Sequence, residues 1–167
     1  MLFNTEVVVL ILATSVLLYL TVMDWRFFLL PNKGNLALGI LGILYQALRL
    51  DWSDAGAIQN MIGFMLAGAV AGAGIFLFTR WLSLKWKGVE GIGWGDVKFA
   101  AAAGLWLGPA GTGFMIGGGA FLLVLVGFTN ILFGRRKLKD YYLPFGAAAA
   151  PVTAVFLWLL HFGIVKF

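Results

Sequence analysis

No cysteine occurs among the 167 residues, so disulfides, thiolate metal sites and a cysteine nucleophile are excluded. Histidine is nearly as scarce. His161 stands alone near the C-terminus, and any Ser-His or metal–His constellation would have to be built around it. A lone residue of this kind reads as an interfacial side chain rather than a catalytic one. Charge is sparse too: only 11% of residues are Asp, Glu, Lys or Arg, against roughly 25% in soluble domains, while 62% are hydrophobic. Ten-residue segments of alternating polarity are also missing, which argues against a transmembrane β-barrel. The remaining reactive inventory is carboxylates, hydroxyls and lysines, and it implies no metal and no cofactor.

The apolar residues that are present fall into blocks at 7–23, 36–50, 58–82, 97–108, 110–133 and 143–165. Backbone groups in lipid must be satisfied within their own segment, which favours helices. The chain therefore reads as all-α: a single polytopic integral membrane domain over residues 1–167 with six transmembrane helices. Gly108-Pro109 is the turn signal between the fourth and fifth blocks. The opening residues carry no basic stretch, and no small-residue cleavage site follows the first block. That block is expected to stay as a span rather than be removed as a signal peptide.

The net charge of +5 reads as topology, not as affinity for nucleic acid. Arg26 and Lys33 follow the first block; Arg80, Lys85, Lys87 and Lys98 surround the third loop; Arg135, Arg136, Lys137 and Lys139 form the fifth. Only Arg49 and Lys166 fall on the other side. The excess of positive charge on inner loops then places these odd loops in the cytoplasm and both termini outside. Asp24, which ends the first block, and Asp96, which opens the fourth, lie on the same side. The block at 97–108 covers about 18 Å of a roughly 30 Å hydrocarbon core, so Asp96 is expected about 10 Å within its inner boundary.

Gly91 to Gly104, GIGWGDVKFAAAAG, is the stretch around which the rest is arranged. Glycines 91, 93 and 95 leave room for another backbone beside Asp96, and an ionisable residue next to bilayer-grade sequence is a functional-site hypothesis by default. The plainer reading has Asp96 merely capping a helix that starts at Val97. Two aspartates within hydrogen-bond reach cannot both ionise comfortably and share one proton. The ionised member can deprotonate water while the protonated one polarises an amide carbonyl. Lys98, two positions on, lies on a different helix face and reads as a headgroup contact, with substrate positioning as the alternative. The pairs Gly68/Gly72, Gly104/Gly108 and Gly113/Gly117 suit close helix packing. Trp81, Trp86, Trp94 and Trp158 read as an interfacial belt.

Gly93-Trp94-Gly95-Asp96 fits the GxGD motif of intramembrane aspartic proteases, and GWGDVKFAAAAGLWLG closely resembles the type IV prepilin peptidase version. Asp24 followed by Leu30-Pro31-Asn32 is similar to that family's first-aspartate segment. Glu90 stands where the family often has an acidic residue, and Leu143-Pro144-Phe145-Gly146 is similar to its late Pro-Phe-Gly segment. The resemblance implies a GxGD aspartic protease fold of six spans in the inner (plasma) membrane. It also implies that the basic leader of type IV prepilin or pseudopilin proteins is removed at the cytoplasmic face. Asp24 and Asp96 would form the catalytic pair, with Gly93, Gly95, Glu90, Lys98, Pro144 and Gly146 as substrate-positioning residues. Glu90 or Asp140 would receive the leader's positive charge. Larger members add a tetracysteine zinc domain and methylate the new terminus. With no cysteine here, the chain resembles the short peptidase-only branch. One departure is Ala147, where the family often has proline. Two other readings use the same aspartates: a small proton- or cation-coupled transporter with the pair as a relay, and a structural subunit in which they only cap helices.

Overall fold

The computed structural model describes residues 5–89, 91–133 and 144–165. Glu90, the basic cluster at 135–139, Asp140 and Lys166 lie outside the described residues. Among the described residues five helices follow one another: α1 (Thr5–Phe27), α2 (Asn32–Arg49), α3 (Ala55–Lys87), α4 (Trp94–Leu132) and α5 (Phe145–His161). Three of them contain stretches long and apolar enough to cross a membrane, Thr5–Phe27, Ala55–Trp86 and Trp94–Thr129; Phe145–His161 is apolar but shorter. Their outward faces carry large apolar side chains such as Leu18, Val70, Phe121 and Val124, each more than half exposed. Faces like these suit lipid rather than water.

The signal at Gly108-Pro109 is not a loop. It is a one-residue break inside α4, where Gly108 takes φ 65° and ψ −175°. Only glycine adopts that backbone without strain, and proline at the next position suits the first turn of a new helical arm. The break reverses the chain. Ala100 and Thr112, twelve positions apart, would be about 18 Å apart along a straight helix. Both instead lie against Gly72 of α3, while Gly104 and Gly108 lie against Gly68. The two arms of α4 thus fold back along α3 as a helical hairpin.

Close packing explains two of the glycine pairs. A methyl group on Gly68 would collide with the Gly104 carbonyl, and one on Gly72 with the Ala100 carbonyl. The backbones of α3 and α4 therefore touch directly, as small residues permit in lipid. The third pair differs from expectation. Among the described residues nothing comes within 4 Å of a Cβ placed on Gly113 or Gly117, and that side of α4 faces outward beside exposed Phe114 and Phe121. Trp158 also departs from the expected belt: its indole N–H donates to Thr14 Oγ1 at 3.1 Å, tying α5 to α1. Trp81, Trp86 and Trp94 remain exposed.

The core runs down the middle of the bundle through Leu10, Leu17 and Leu20 of α1, Leu38 of α2, Phe99 and Leu107 of α4, and Leu157 of α5, none more than 2% exposed. Trp106 anchors α4 to α2 by donating to the Leu38 carbonyl at 2.8 Å. At one end of the bundle Glu6 lies 3.7 Å from Arg49 and 3.8 Å from His161, whose ring meets the Tyr45 hydroxyl at 3.1 Å. The single histidine thus sits at the end opposite the aspartates.

Candidate active site

Asp24 lies in the last turn of α1 and is 5% exposed. That helix stops at Phe28, whose φ of 52° is left-handed and whose N–H donates to the Asp24 carbonyl at 2.9 Å. Glycine is usual at such a C-cap, and a bulky residue there is a local strain point. The reversal carries Leu29-Leu30-Pro31 across the end of the bundle, where extended Pro31 starts α2. Leu30, 6% exposed, drops inward between α4 and α5.

Each aspartate holds a helix N-terminus. Helix α5 begins after Pro144, which offers no side-chain cap. Asp24 supplies one from α1 instead: its Oδ2 accepts the Ala147 N–H at 2.8 Å, and the Gly146 N–H also turns toward it. Helix α4 starts at Trp94, three residues before the expected Val97, so Asp96 is inside its first turn rather than in front of it. From there its carboxylate reaches back to the N–H of Gly93, in the manner of a capping box. The cap uses only part of the carboxylate. Asp96 Oδ1 is buried without a hydrogen-bond partner among the described residues.

The two carboxylates line one cavity of about 450 Å³, walled by Phe28, Leu30, Pro31, Gly93 and Trp94. They are close enough for the charge on Asp24 to be felt at Asp96. The N-termini of α2, α4 and α5 converge on the same end of the bundle, and their positive dipole ends offset part of the repulsion. Lys98 also lines this cavity, and its Nζ donates to Asn32 Oδ1 at 2.8 Å. A polar cavity with two facing carboxylates can orient and activate water.

Gly93 opens onto the cavity. Gly95 lines it as well but is also committed to packing: a methyl there would come 2.9 Å from Leu30 Cβ. A methyl on Gly146 would meet the Leu30 side chain at 2.7 Å and Asp24 Oδ2 at 2.9 Å. These two glycines therefore bring backbone close to Leu30 and Asp24 within the protein. Gly91 likewise packs on Ser83. Pro144 occupies the N-cap of α5, and Glu90 lies outside the described residues.

Two residues of this neighbourhood escaped the sequence reading. Arg80, counted there as a loop charge, is only 8% exposed. Its Nη1 donates to the Ile92 carbonyl at 2.6 Å, and its guanidinium lies 4.9 Å from the centre of the Trp94 ring. It fixes the segment leading into Asp96, and the available signal was an arginine inside an apolar block. Asn35, 4% exposed, donates from Nδ2 to the Gly95 carbonyl at 3.2 Å. Among the described residues no group of three His, Asp or Glu side chains is placed to hold a metal ion.

Comparison with known proteins gives one consistent picture. Residues 11–165 match the model of the type IV leader peptidase family. The chain is 39% identical over 93 residues to the prepilin leader peptidase/N-methyltransferase of Escherichia coli (strain K12), covering 54% of this chain and 37% of that protein. It is 30% identical over 149 residues to the protein of the same name from Aeromonas hydrophila, covering 89% and 47%. It is also 35% identical over 98 residues to the leader peptidase HopD of Salmonella typhimurium, covering 58% and 57%. The chain thus spans less than half the length of the first two relatives. No solved structure matches it.

Proposed function

The chain belongs to the type IV leader peptidase family, and from that premise we propose that it is an aspartic endopeptidase that removes the leader of a type IV prepilin or pseudopilin-like protein. The observation that carries the reading is the single cavity lined by Asp24 and Asp96, each held by a helix N-terminus at the same end of a membrane bundle. One carboxylate takes a proton from water while the other, protonated, donates a hydrogen bond to the scissile carbonyl. Asp24, whose carboxylate accepts the Ala147 N–H at a helix N-terminus, suits the ionised member that takes the water proton, and Asp96, whose buried Oδ1 has no partner among the described residues, suits the protonated member that donates to the scissile carbonyl.

The reversal at Gly108 supports a six-crossing arrangement, with the two arms of α4 as separate spans. Helix α2, with 18 residues, extends about 27 Å and suits a crossing of a roughly 30 Å core. The bias of Lys and Arg in the sequence toward the loops on the same side as Asp24 and Asp96 supports an orientation with that side in the cytoplasm and both termini outside, in the plasma membrane. Both carboxylates lie at the end of the bundle rather than near its middle, which does not favour a transport relay.

The test is co-expression with a candidate prepilin, read as a leader-sized mobility shift. Wild type is expected to process it, and Asp96→Asn is expected to insert normally and leave it uncut. An Asp96→Asn protein that still processes the prepilin would refute the assignment.

A further inference from the structure

A second depression, about 480 Å³, runs down the outer side of the bundle between α2 and the first arm of α4. It is walled by Leu36, Ile40 and Ile43 on one side and Ala101 and Leu105 on the other, with Gly39 at its floor. Leu36, Ile40 and Ile43 are each more than half exposed. The small residues allow another helix to approach closely, where side chains of ordinary size would hold it off. The groove is continuous with the aspartate cavity, since Asn32 and Lys98 line both.

Its upper end is marked by Asn35. Because Nδ2 donates to the Gly95 carbonyl, the orientation of the amide is fixed and Oδ1 is left as an acceptor. That oxygen is buried and, with Asp96 Oδ1, is one of two buried side-chain oxygens without a partner among the described residues. A buried acceptor lacking a donor is costly, and Asn35 lines the groove. An apolar α-helix lying in lipid carries spare N–H donors only in its first turn.

Resting on the peptidase reading, we propose that this groove is the docking site for an apolar membrane helix of the substrate, with the first turn of that helix donating to Asn35 Oδ1. The consequence is a register. Residues immediately before the helix cross Asn32 and Lys98 and enter the aspartate cavity in extended form, so the cut falls just N-terminal to the apolar segment. The substrate chain then runs down the groove alongside α2, in the same direction, from Asn35 towards Ile43, over about 12 Å of helix.

The test uses the full chain in lipid vesicles, with a prepilin and a short peptide that spans the cleavage site but lacks the apolar segment. A photo-crosslinking side chain at Ile43 in the Asp96→Asn background is expected to label the apolar segment of the prepilin, and the same side chain at Val124 is not. Labelling of lipid alone or of a second copy of this chain at Ile43 would overturn the proposal. Ala101→Phe, which fills the groove, is expected to raise KM for the prepilin roughly tenfold at unchanged kcat and to leave the short peptide cut as by wild type. Equal effects on both substrates, or none, would overturn it too. Among prepilins carrying single backbone esters near the cut, one is expected to bind several-fold more weakly to wild type but not to Asn35→Ala. No such position means that Asn35 meets no substrate. A wild-type chain that cuts neither substrate removes the peptidase reading and the groove with it. A wild type that cuts both, paired with an Ala101→Phe that also does so normally, removes the groove alone.

Discussion

Asp24 is asked to do two things, and the two can be separated by substitution. Its Oδ2 accepts the N–H of Ala147 at 2.8 Å and thereby caps α5, whose own N-cap, Pro144, cannot. Asparagine keeps a carbonyl oxygen in the same place and loses the charge, which at a helix N-terminus is worth about 0.3–1 kcal/mol, up to ~2 when partly buried. Alanine removes the acceptor as well and leaves buried N–H groups unpaired, at about 1–3 kcal/mol. Relief of the repulsion from Asp96 acts equally in both variants and cancels when they are compared. Asp24→Ala should therefore unfold at a lower temperature than Asp24→Asn, by about 2–4 °C for each kcal/mol, while neither cleaves a prepilin. Thermal unfolding of the purified proteins in detergent and a leader-cleavage gel measure the two properties. Equal midpoints for Asn and Ala would refute the capping role, and cleavage by Asp24→Asn would refute the catalytic one.

Gly108→Ala should lower stability by about 2–5 kcal/mol, since a Cβ there meets both an unfavourable positive φ and the Phe64 ring; thermal unfolding in detergent checks it. Arg80→Lys should keep the helical content but reduce cleavage roughly tenfold, because an ammonium replaces neither the guanidinium stack on Trp94 nor its fork of donors. Circular dichroism and kcat/KM on one preparation separate these effects. Cleavage should persist in EDTA, and a loss restored by added divalent metal would contradict a dyad acting alone.

Much of the site was legible because its parts are chemically conspicuous. A carboxylate beside long apolar blocks has few structural uses, and the bias of basic residues alone assigns both aspartates to one side. The reversal at Gly108-Pro109 was legible for the same reason: glycine followed by proline has a narrow set of backbone solutions. What the sequence could not carry was contact. Gly95 invites a reading as room for substrate and Gly146 one as a substrate-positioning residue, yet a methyl group at either would meet Leu30. Gly113 and Gly117 have the same spacing as Gly68 and Gly72 but no partner within 4 Å among the described residues, because spacing defines a face without saying what covers it. Arg80 reads in sequence as a boundary charge, since a count of loop residues does not reveal that a long side chain folds back inward.

Leu30 explains why the family's separate segments belong to one site. Asp24 sits on α1 and Asp96 on α4, and these helices are joined mainly through α2 and α5. Their spacing therefore depends on whatever fixes α4 and α5 to the end of α1. Leu30 touches both glycines that matter, Gly95 next to Asp96 and Gly146 next to Asp24. A larger residue at either glycine would push Leu30 out, and a smaller residue at position 30 would leave a void between the carboxylates' supports. The Leu-Pro-Asn, GxGD and Pro-Phe-Gly segments thus meet at one buried side chain, so the distance between the two acids follows from packing rather than from any bond between them.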